Sequence, residues 1–435
     1  MSDTIFALAS GAGLCAISVI RVSGPASDAA LASLCSSLPQ PRRASLRKIH
    51  HPHSGTLLDQ ALVIRFPGPQ SFTGEDGFEL HVHGGRAVAA GVLGALGLCD
   101  GLRMAEPGEF ARRAFLNGKL DLTEAEGLAD LIEASTSAQR DQALALAGGR
   151  LREQALAWRS AILGLQAQAE AAIDFSDEGD VPAHVWRDFA AQVSALAQNM
   201  QMALAEGRRG EILRSGFTVV LAGAPNAGKS SLMNALARRD VAIVSAIPGT
   251  TRDLIEVSLD LDGLPVTLVD TAGLRDAADE IEQEGIRRTR MRAAAADLVL
   301  WLVAPGQESD TSGLPDAPIL RICTKSDLGP IESDTEQSLS LSARTGQGVD
   351  ELLGLIAQRA RDALRPEEPA LMSRERHRIA IRDACEALGR IRDELPVEVA
   401  AEELRLAARS LASMIGLVGP EDVLGEIFSR FCIGK

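Results

Sequence analysis

Gly223-Ala224-Pro225-Asn226-Ala227-Gly228-Lys229-Ser230 fits the pattern G-x-x-x-x-G-K-[ST]. An apolar run, FTVVLA (217–222), precedes it, and a helical pattern opens through Ser230 and Ser231. That strand-then-helix setting is what the pattern needs to hold phosphates. Its glycines let backbone N–H groups wrap phosphate oxygens at a helix N-terminus. Lys229 is placed to neutralise the β and γ oxygens, and the Ser230 hydroxyl to ligate Mg²⁺. Alone, the pattern implies a nucleoside triphosphatase and no particular base.

Base choice comes from residues further along. Thr324-Lys325-Ser326-Asp327 follows an apolar run, and an aspartate there accepts the N1 and N2 protons of guanine. Ser342-Ala343-Arg344 follows the next run, where a backbone N–H can meet guanine O6. Asp270-Thr271-Ala272-Gly273 supplies a carboxylate for the Mg²⁺ shell and a glycine that senses the γ-phosphate. Gly249-Thr250-Thr251-Arg252-Asp253 adds a second Mg²⁺-ligating hydroxyl, Thr251. Five elements in this order specify a GTPase domain of the translation-factor-like kind. Thr324 stands where the guanine motif usually has asparagine. Since that position tethers the phosphate loop, GTP specificity is expected to survive with altered affinity.

Ras-like enzymes orient the attacking water with a glutamine after the DxxG glycine. Here that residue is Leu274, so a catalytic group must come from elsewhere. Asp279-Glu280-Ile281-Glu282 follows; from charge alone it reads as a solvated acidic loop, yet a carboxylate there could orient water. Asn226 is a second clue. An asparagine in the phosphate loop, with the backbone of Ser245, Ala246, Ile247, Pro248, Gly249 and Thr250, can cage a monovalent cation that offsets transition-state charge. Taken alone, an asparagine in a loop is turn chemistry.

These residues need a scaffold, and the rest of the chain supplies it. Near-continuous apolar runs at 217–222, 266–269, 298–303, 319–323 and 339–341 alternate with helical patterns, the mark of a doubly wound α/β sheet. Residues 1–118 mix β-like runs (AISVIRV, LVIRF, ELHVH) with glycine turns, an α+β reading. Residues 119–214 and 366–435 show helical spacing, broken from Ala167 by the stretch AQAEAAIDFSDEGDVP. The expected architecture is multidomain: an α+β N-terminal domain (1–118), then a helical domain (119–214 and 366–435) into which the α/β P-loop domain (215–365) is inserted. The net charge of −15 repels phosphate backbones, so nucleic acid must meet a local basic patch or a partner's surface. Six scattered cysteines without CxxC spacing suit a reducing cytosol. There is no basic leader and no apolar run of the ~20 residues a membrane span needs, so the expectation is a cytoplasmic protein with no membrane association.

With these residues in view, the chain resembles the MnmE (TrmE) family of tRNA-modification GTPases over essentially its whole length. The resemblance rests on the phosphate loop from Pro225 to Ser231, on 249–253, on DTAGLR (270–275) and on 279–282. Outside the P-loop domain it rests on SFTGED (71–76), PGEF (107–110), AFLNGKLD (114–121) and the terminal Phe431-Cys432-Ile433-Gly434-Lys435. It implies a folate-binding-like N-terminal domain that dimerises, with Arg21, Glu79, Lys119 and Lys435 around 5-formyl- or 5,10-methylene-tetrahydrofolate. It implies K⁺ at Asn226 and the 245–250 loop, Glu282 as the water-orienting carboxylate, and Cys432 as a candidate functional thiol. It further implies a homodimer working with an FAD-containing partner, MnmG (GidA), in a heterotetramer or larger complex. Together they would install a carboxymethylaminomethyl-type group on C5 of the wobble uridine of certain tRNAs.

Bland readings stand beside several of these. Cys432 could be a buried small hydrophobe. His50, His51 and His53 read as a solvated loop rather than a metal site, and His81 and His83 as structural. The alternative function is a ribosome-assembly GTPase that binds rRNA. Such a protein would append a basic RNA-binding domain, for which the sequence offers no candidate.

Overall fold

The computed structural model describes residues 3–11, 13–35, 37–174, 183–239, 241–243, 256–270, 296–307, 318–329, 338–365, 370–392, 395–419, 421–429, 431 and 434. They fall into two compact units, Met1–Ala129 with Leu411–Lys435, and Asp130–Ser410. This grouping cuts the helical domain expected from sequence at 129/130 and at 410/411.

In the first unit, β1 (Thr4–Leu8), β2 (Ile17–Ser23), β3 (Ser45–His50), β4 (Leu57–Phe66), β5 (Gly77–His83) and β6 (Leu102–Met104) form one sheet in the order β3-β4-β5-β2-β1-β6. All neighbours are antiparallel except β1 and β6. Side chains alternate across a strand. Ile20, Val22, Phe78, Leu80 and Val82 therefore point together into a core, which they share with residues of helices α1 (Ser27–Leu34) and α2 (Arg86–Gly97). Arg21 and Glu79 take the opposite face, where they are direct cross-strand partners. Near β1 that face is covered by Phe110 of α3 (Glu109–Leu116), packed on Ile5 and Ala7. Beyond it the face is open. Leu46, Leu62, His81 and Val19 stand in register across four strands, with Leu46 and Leu62 exposed. The end of the chain belongs to this unit because Leu424, Phe428 and Phe431 pack with Ala111, Leu122 and Ala125 in a core of their own.

The second unit carries helices α5 (Ser137–Ala147), α6 (Arg150–Asp174) and α7 (Ala183–Ser215), α4 (Leu122–Glu133) having crossed the boundary. Then come β7 (Phe217–Gly223), α8 (Lys229–Ala237), β8 (Ala242–Ile243), β9 (Glu256–Leu261), β10 (Leu264–Asp270), β11 (Leu298–Val303), β12 (Ile319–Cys323), β13 (Ser338–Ser340) and α9 (Val349–Leu364). Helix α10 (Glu375–Arg390) closes the unit, α11 (Val397–Met414) crosses the boundary, and α12 (Glu421–Ser429) lies beyond it. The sheet order is β13-β12-β11-β7-β10-β9-β8, parallel except where β9 pairs with β10 and β8. Strand β7 lies between β10 and β11, so the chain leaves it toward both sides of the sheet, the arrangement that opens a ligand crevice at the strands' carboxyl ends. The break expected at Ala167 is instead deferred to the end of α6: alanine, glutamine and glutamate carry the helix to Asp174.

Helix α5 brackets the inserted domain. A capping box of Thr136 and Gln139 starts it, and the Ala138 N–H donates to Gly263 O (3.1 Å) in the β9–β10 turn. Gln139 Nε2 donates to Arg214 O (2.9 Å). The buried Gln142 Nε2 donates to both Gly210 O (2.9 Å) and Ala370 O (2.7 Å), on the segments entering and leaving the domain. Gly210 is a glycine for a reason: a Cβ there would lie 2.3 Å from Met372 O.

Candidate functional site

The loop after β7 bends where sequence supplies the freedom to bend. Gly223 (φ +141°) and Gly228 (φ +96°) lie in the region open to glycine, and Asn226 (φ +62°) in the left-handed region that asparagine tolerates best among side-chain-bearing residues. Lys229 Nζ lies along the loop, donating to Gly223 O (2.8 Å) and Ala224 O (3.0 Å). The Ser230 hydroxyl donates to Asp270 Oδ2 (3.1 Å), which is buried at the end of β10. A serine hydroxyl beside a carboxylate is a hard-oxygen donor pair of the kind Mg²⁺ takes, usually completed by water and phosphate. Among the described residues no group of three His, Cys, Asp or Glu could hold a metal.

A cavity of about 290 Å³ opens beside the loop, lined by Gly228, Ser231, Thr324, Lys325, Asp327, Ser342, Ala343 and Arg344 among others. Thr324 Oγ1 donates to Ala227 O at 2.6 Å, so the residue in the usual asparagine position does tether the phosphate loop. Lys325 sits at φ +56° and caps a short turn, Ser326–Leu328, that presents Asp327. Asp327 Oδ1 accepts from the Ser342 hydroxyl (2.6 Å) and Oδ2 from Arg344 (2.7 Å). The Ser342 hydrogen bond first, and then the Arg344 charge, hold the Asp327 carboxyl below the usual carboxylate range. A carboxylate so held stands as an anionic acceptor in the wall of the cavity.

A second arrangement lies in the first unit. Arg21 Nε and a terminal guanidinium nitrogen both donate to Glu79 Oε1, at 3.1 and 3.0 Å. The Arg21 guanidinium lies between two rings, 5.2 Å from Phe72 and 5.9 Å from Phe110. A cleft of about 90 Å³ adjoins it, lined by Phe66, Ser71, Phe72, Thr73 and Phe78 besides Arg21 and Glu79. The 71–76 loop is fixed from beneath. Fully buried Arg113 donates to Glu75 (3.2 Å), Glu109 (2.9 Å) and Asp3 (3.0 Å). Burial raises the Glu109 pKa, but hydrogen bonds from Arg103, the Glu106 N–H and Arg113 outweigh it and leave it below the usual range. Ser23 Oγ joins Glu75 (2.7 Å) to Thr73 (2.6 Å), and Asn117 Nδ2 donates to Thr73 O (2.7 Å). A Cβ on Gly74 would sit 3.4 Å from Lys119 Cε, so the exposed Lys119 stem runs over that loop. Gly434 packs against Leu8 and Ala9, one strand away from Arg21.

Comparison with known proteins places both arrangements in one family. Residues 4–119 match the family model described as GTP-binding protein TrmE N-terminus, and residues 122–432 match the MnmE helical domain. The chain belongs to the MnmE family. It is 55% identical to the tRNA modification GTPase MnmE of Methylorubrum populi, covering 100% of this chain and 98% of that one. Identity to the protein of the same name is 54% in Methylobacterium sp. strain 4-46, with 100% of both chains covered. For Beijerinckia indica subsp. indica it is 52%, covering 100% of this chain and 96% of the relative.

In this MnmE-family chain the structure gathers Asn226, Ala227, Gly228, Lys229, Ser230, Ser231, Asp270, Thr324, Lys325, Ser326, Asp327, Ser342, Ala343 and Arg344 at the carboxyl ends of β7, β10, β12 and β13. It pairs Arg21 with Glu79 and sets Lys119 on the neighbouring loop. Ser245, Ala246, Ile247, Pro248, Gly249, Thr250, Thr251, Thr271, Ala272, Gly273, Glu282, Cys432 and Lys435 lie outside the described residues. His51 serves its own turn, its Nδ1 accepting from the His53 and Ser54 N–H groups. Two residues escaped the sequence reading. Gln307 Nε2 donates to Pro225 O (3.0 Å), bracing the phosphate loop just before Asn226. Phe72 was visible only as part of a matched motif, with nothing to show that its ring faces Arg21.

Proposed function

We propose that this chain is a K⁺-activated GTPase that modifies tRNA together with an FAD-containing protein of the MnmG kind. The product is a carboxymethylaminomethyl-type group on C5 of the wobble uridine, built from a one-carbon unit carried by tetrahydrofolate. The observation that carries the GTPase reading is the Asp327 carboxylate, held charged by Ser342 and Arg344 in a cavity continuous with the phosphate loop. In this reading Lys229 and the loop amides bind the phosphates, Ser230 and Asp270 hold the side of the site that takes Mg²⁺, and Thr324 fixes the loop's depth. Ser230 and Asp270 would hold Mg²⁺, which would offset phosphate charge, and Asn226 would hold K⁺, which would supply the positive charge of an arginine finger. Glu282 orients the water in place of the glutamine that Leu274 replaces. Arg21 and Glu79 offer a fixed cation and a carboxylate to a folate, whose pterin has paired N–H donors and whose tail is acidic. The open row of Leu46, Leu62 and Val19 on the same sheet face suits a second copy of the chain, giving the homodimer.

Mass spectrometry of nucleosides from tRNA of a deletion strain tests the reading as a whole. Loss of the C5-modified wobble uridine, restored by the wild-type gene, is expected. An unchanged nucleoside profile with a ribosome-assembly defect would transfer the chain to the rRNA-binding class. Glu282→Ala should slow GTP turnover by ~10²-fold with little change in nucleotide affinity, the scale of a lost water-positioning group.

A further inference from the structure

The cleft beside Arg21 is smaller than the ligand its residues suit. Its volume of about 90 Å³ has room for roughly three waters, whereas pockets that enclose drug-sized ligands start near ~300 Å³. A folate seated deeply there needs more room than the cleft now gives, and the walls are not equally free to give it. Phe78 is 1% exposed and part of the sheet core. Arg21 and Glu79 are locked together by two hydrogen bonds. Thr73 and Glu75 are held by Ser23, Asn117 and Arg113. Phe72, a residue 37% exposed, stands between these anchors with its backbone pinned on the Thr73 side and its ring face toward Arg21. A phenyl ring has no hydrogen bond to lose, so a change of χ1 rotamer moves it at little cost, and exposed rings change rotamer quickly.

We infer that Phe72 is a movable aromatic wall that swings off Arg21 to admit the planar pyrimidinone end of a reduced pterin and then stacks on it. The inference rests on the folate reading and deepens it. Glu79 would take the heterocycle's edge of paired N–H donors, Arg21 an acceptor or acidic group, and Phe72 the ring face that hydrogen bonds cannot recognise. The Arg113–Glu75–Ser23–Thr73 network keeps the loop backbone still while the ring moves. Phe72 is thus a specificity-determining residue selecting ligands that present a planar pyrimidinone face, which a reduced pterin keeps.

Calorimetric titration of the full chain with 5-formyltetrahydrofolate tests it. Phe72→Tyr, which keeps the ring, should bind within about threefold of wild type. Phe72→Leu, of similar bulk without a π face, should bind roughly tenfold more weakly, and Phe72→Ala more weakly still, on the scale of a lost stacking partner. Circular dichroism should show every variant folded, so that lost affinity reports the ring and not the fold. Wild-type affinity in Phe72→Leu, or tighter binding by Phe72→Ala, overturns the inference and makes the ring a mere obstruction. Absence of binding by the wild-type chain removes the folate reading and this inference with it.

Discussion

In the role proposed for it, Asp327 would read the base only while ionised, and two neighbours favour that state. The Ser342 hydroxyl donates to it at 2.6 Å and Arg344 lies 2.7 Å away, so its pKa is depressed. A depressed pKa keeps the anion, and whatever folding stability it contributes, present above the unfolded-state value. That contribution is lost as pH falls through the lower folded value. Guanine binding should therefore keep its acceptor to a pH below the ordinary aspartate range of ~3.9. Ser342→Ala removes the largest cause, so the acid limb of GDP binding should move to higher pH, as read by titration with a fluorescent GDP from about pH 7 downward. An unmoved limb would mean that Ser342 does not set the charge. Asn226 gives a second expectation: GTP turnover faster in K⁺ than in Na⁺, with Asn226→Ala abolishing the difference and sparing nucleotide binding. Equal turnover in the two salts would remove the cation from the mechanism. At this scale the nucleotide residues were legible because phosphate and guanine chemistry fix both residue type and spacing. Gln307 was not, since it meets Pro225 82 positions away through a turn that no motif marks. Nor was Arg113, which resembles a surface helix residue until Glu75, Glu109 and Asp3 enclose it.

At the scale of elements, the buried parallel strands announced themselves as apolar runs. β9, with the sequence EVSLDL, did not, because it pairs near a sheet edge and alternates polar with apolar. β3 (SLRKIH) lacks an apolar run, and β1 (TIFAL) is too short to tell a strand from a helical turn, so each is defined by the strands it pairs with. The terminal motif looked like chemistry alone, yet part of it is geometry. Gly434 has φ +98°, and a Cβ there would fall 2.3 Å from Leu8 O. Gly434→Ala should thus displace this residue from β1, whatever Cys432 and Lys435 do. The expected result is folate binding weakened at least tenfold and tRNA modification lost, with GTP hydrolysis near wild type because no nucleotide residue is touched. Normal modification by this variant would show that the tail need not dock.

At the scale of the molecule, changes in composition suggest three parts, whereas the structure groups the chain into two compact units whose limits, 129/130 and 410/411, no change in composition marks. The allegiance of the chain's end was not readable either, because it is decided by Phe428 and Phe431 finding Ala111 and Leu122 some three hundred residues back. The exposed sheet face was equally hidden, since alternation reveals that a strand has two faces and not which one stays uncovered. Placing charge there, as in Leu46→Glu with Leu62→Glu, should halve the mass measured by sedimentation if two copies meet on it. An unchanged mass would put the contact elsewhere. One feature of α5 reaches further. A single amide nitrogen, Gln142 Nε2, touches Gly210 O and Ala370 O alike, so the chain enters and leaves the inserted domain at one spot. Two extended residues bridge ~7 Å, enough to join those points directly. The host helices could therefore be resealed by a two-glycine splice, and any other module whose ends are neighbours could be grafted at the same place.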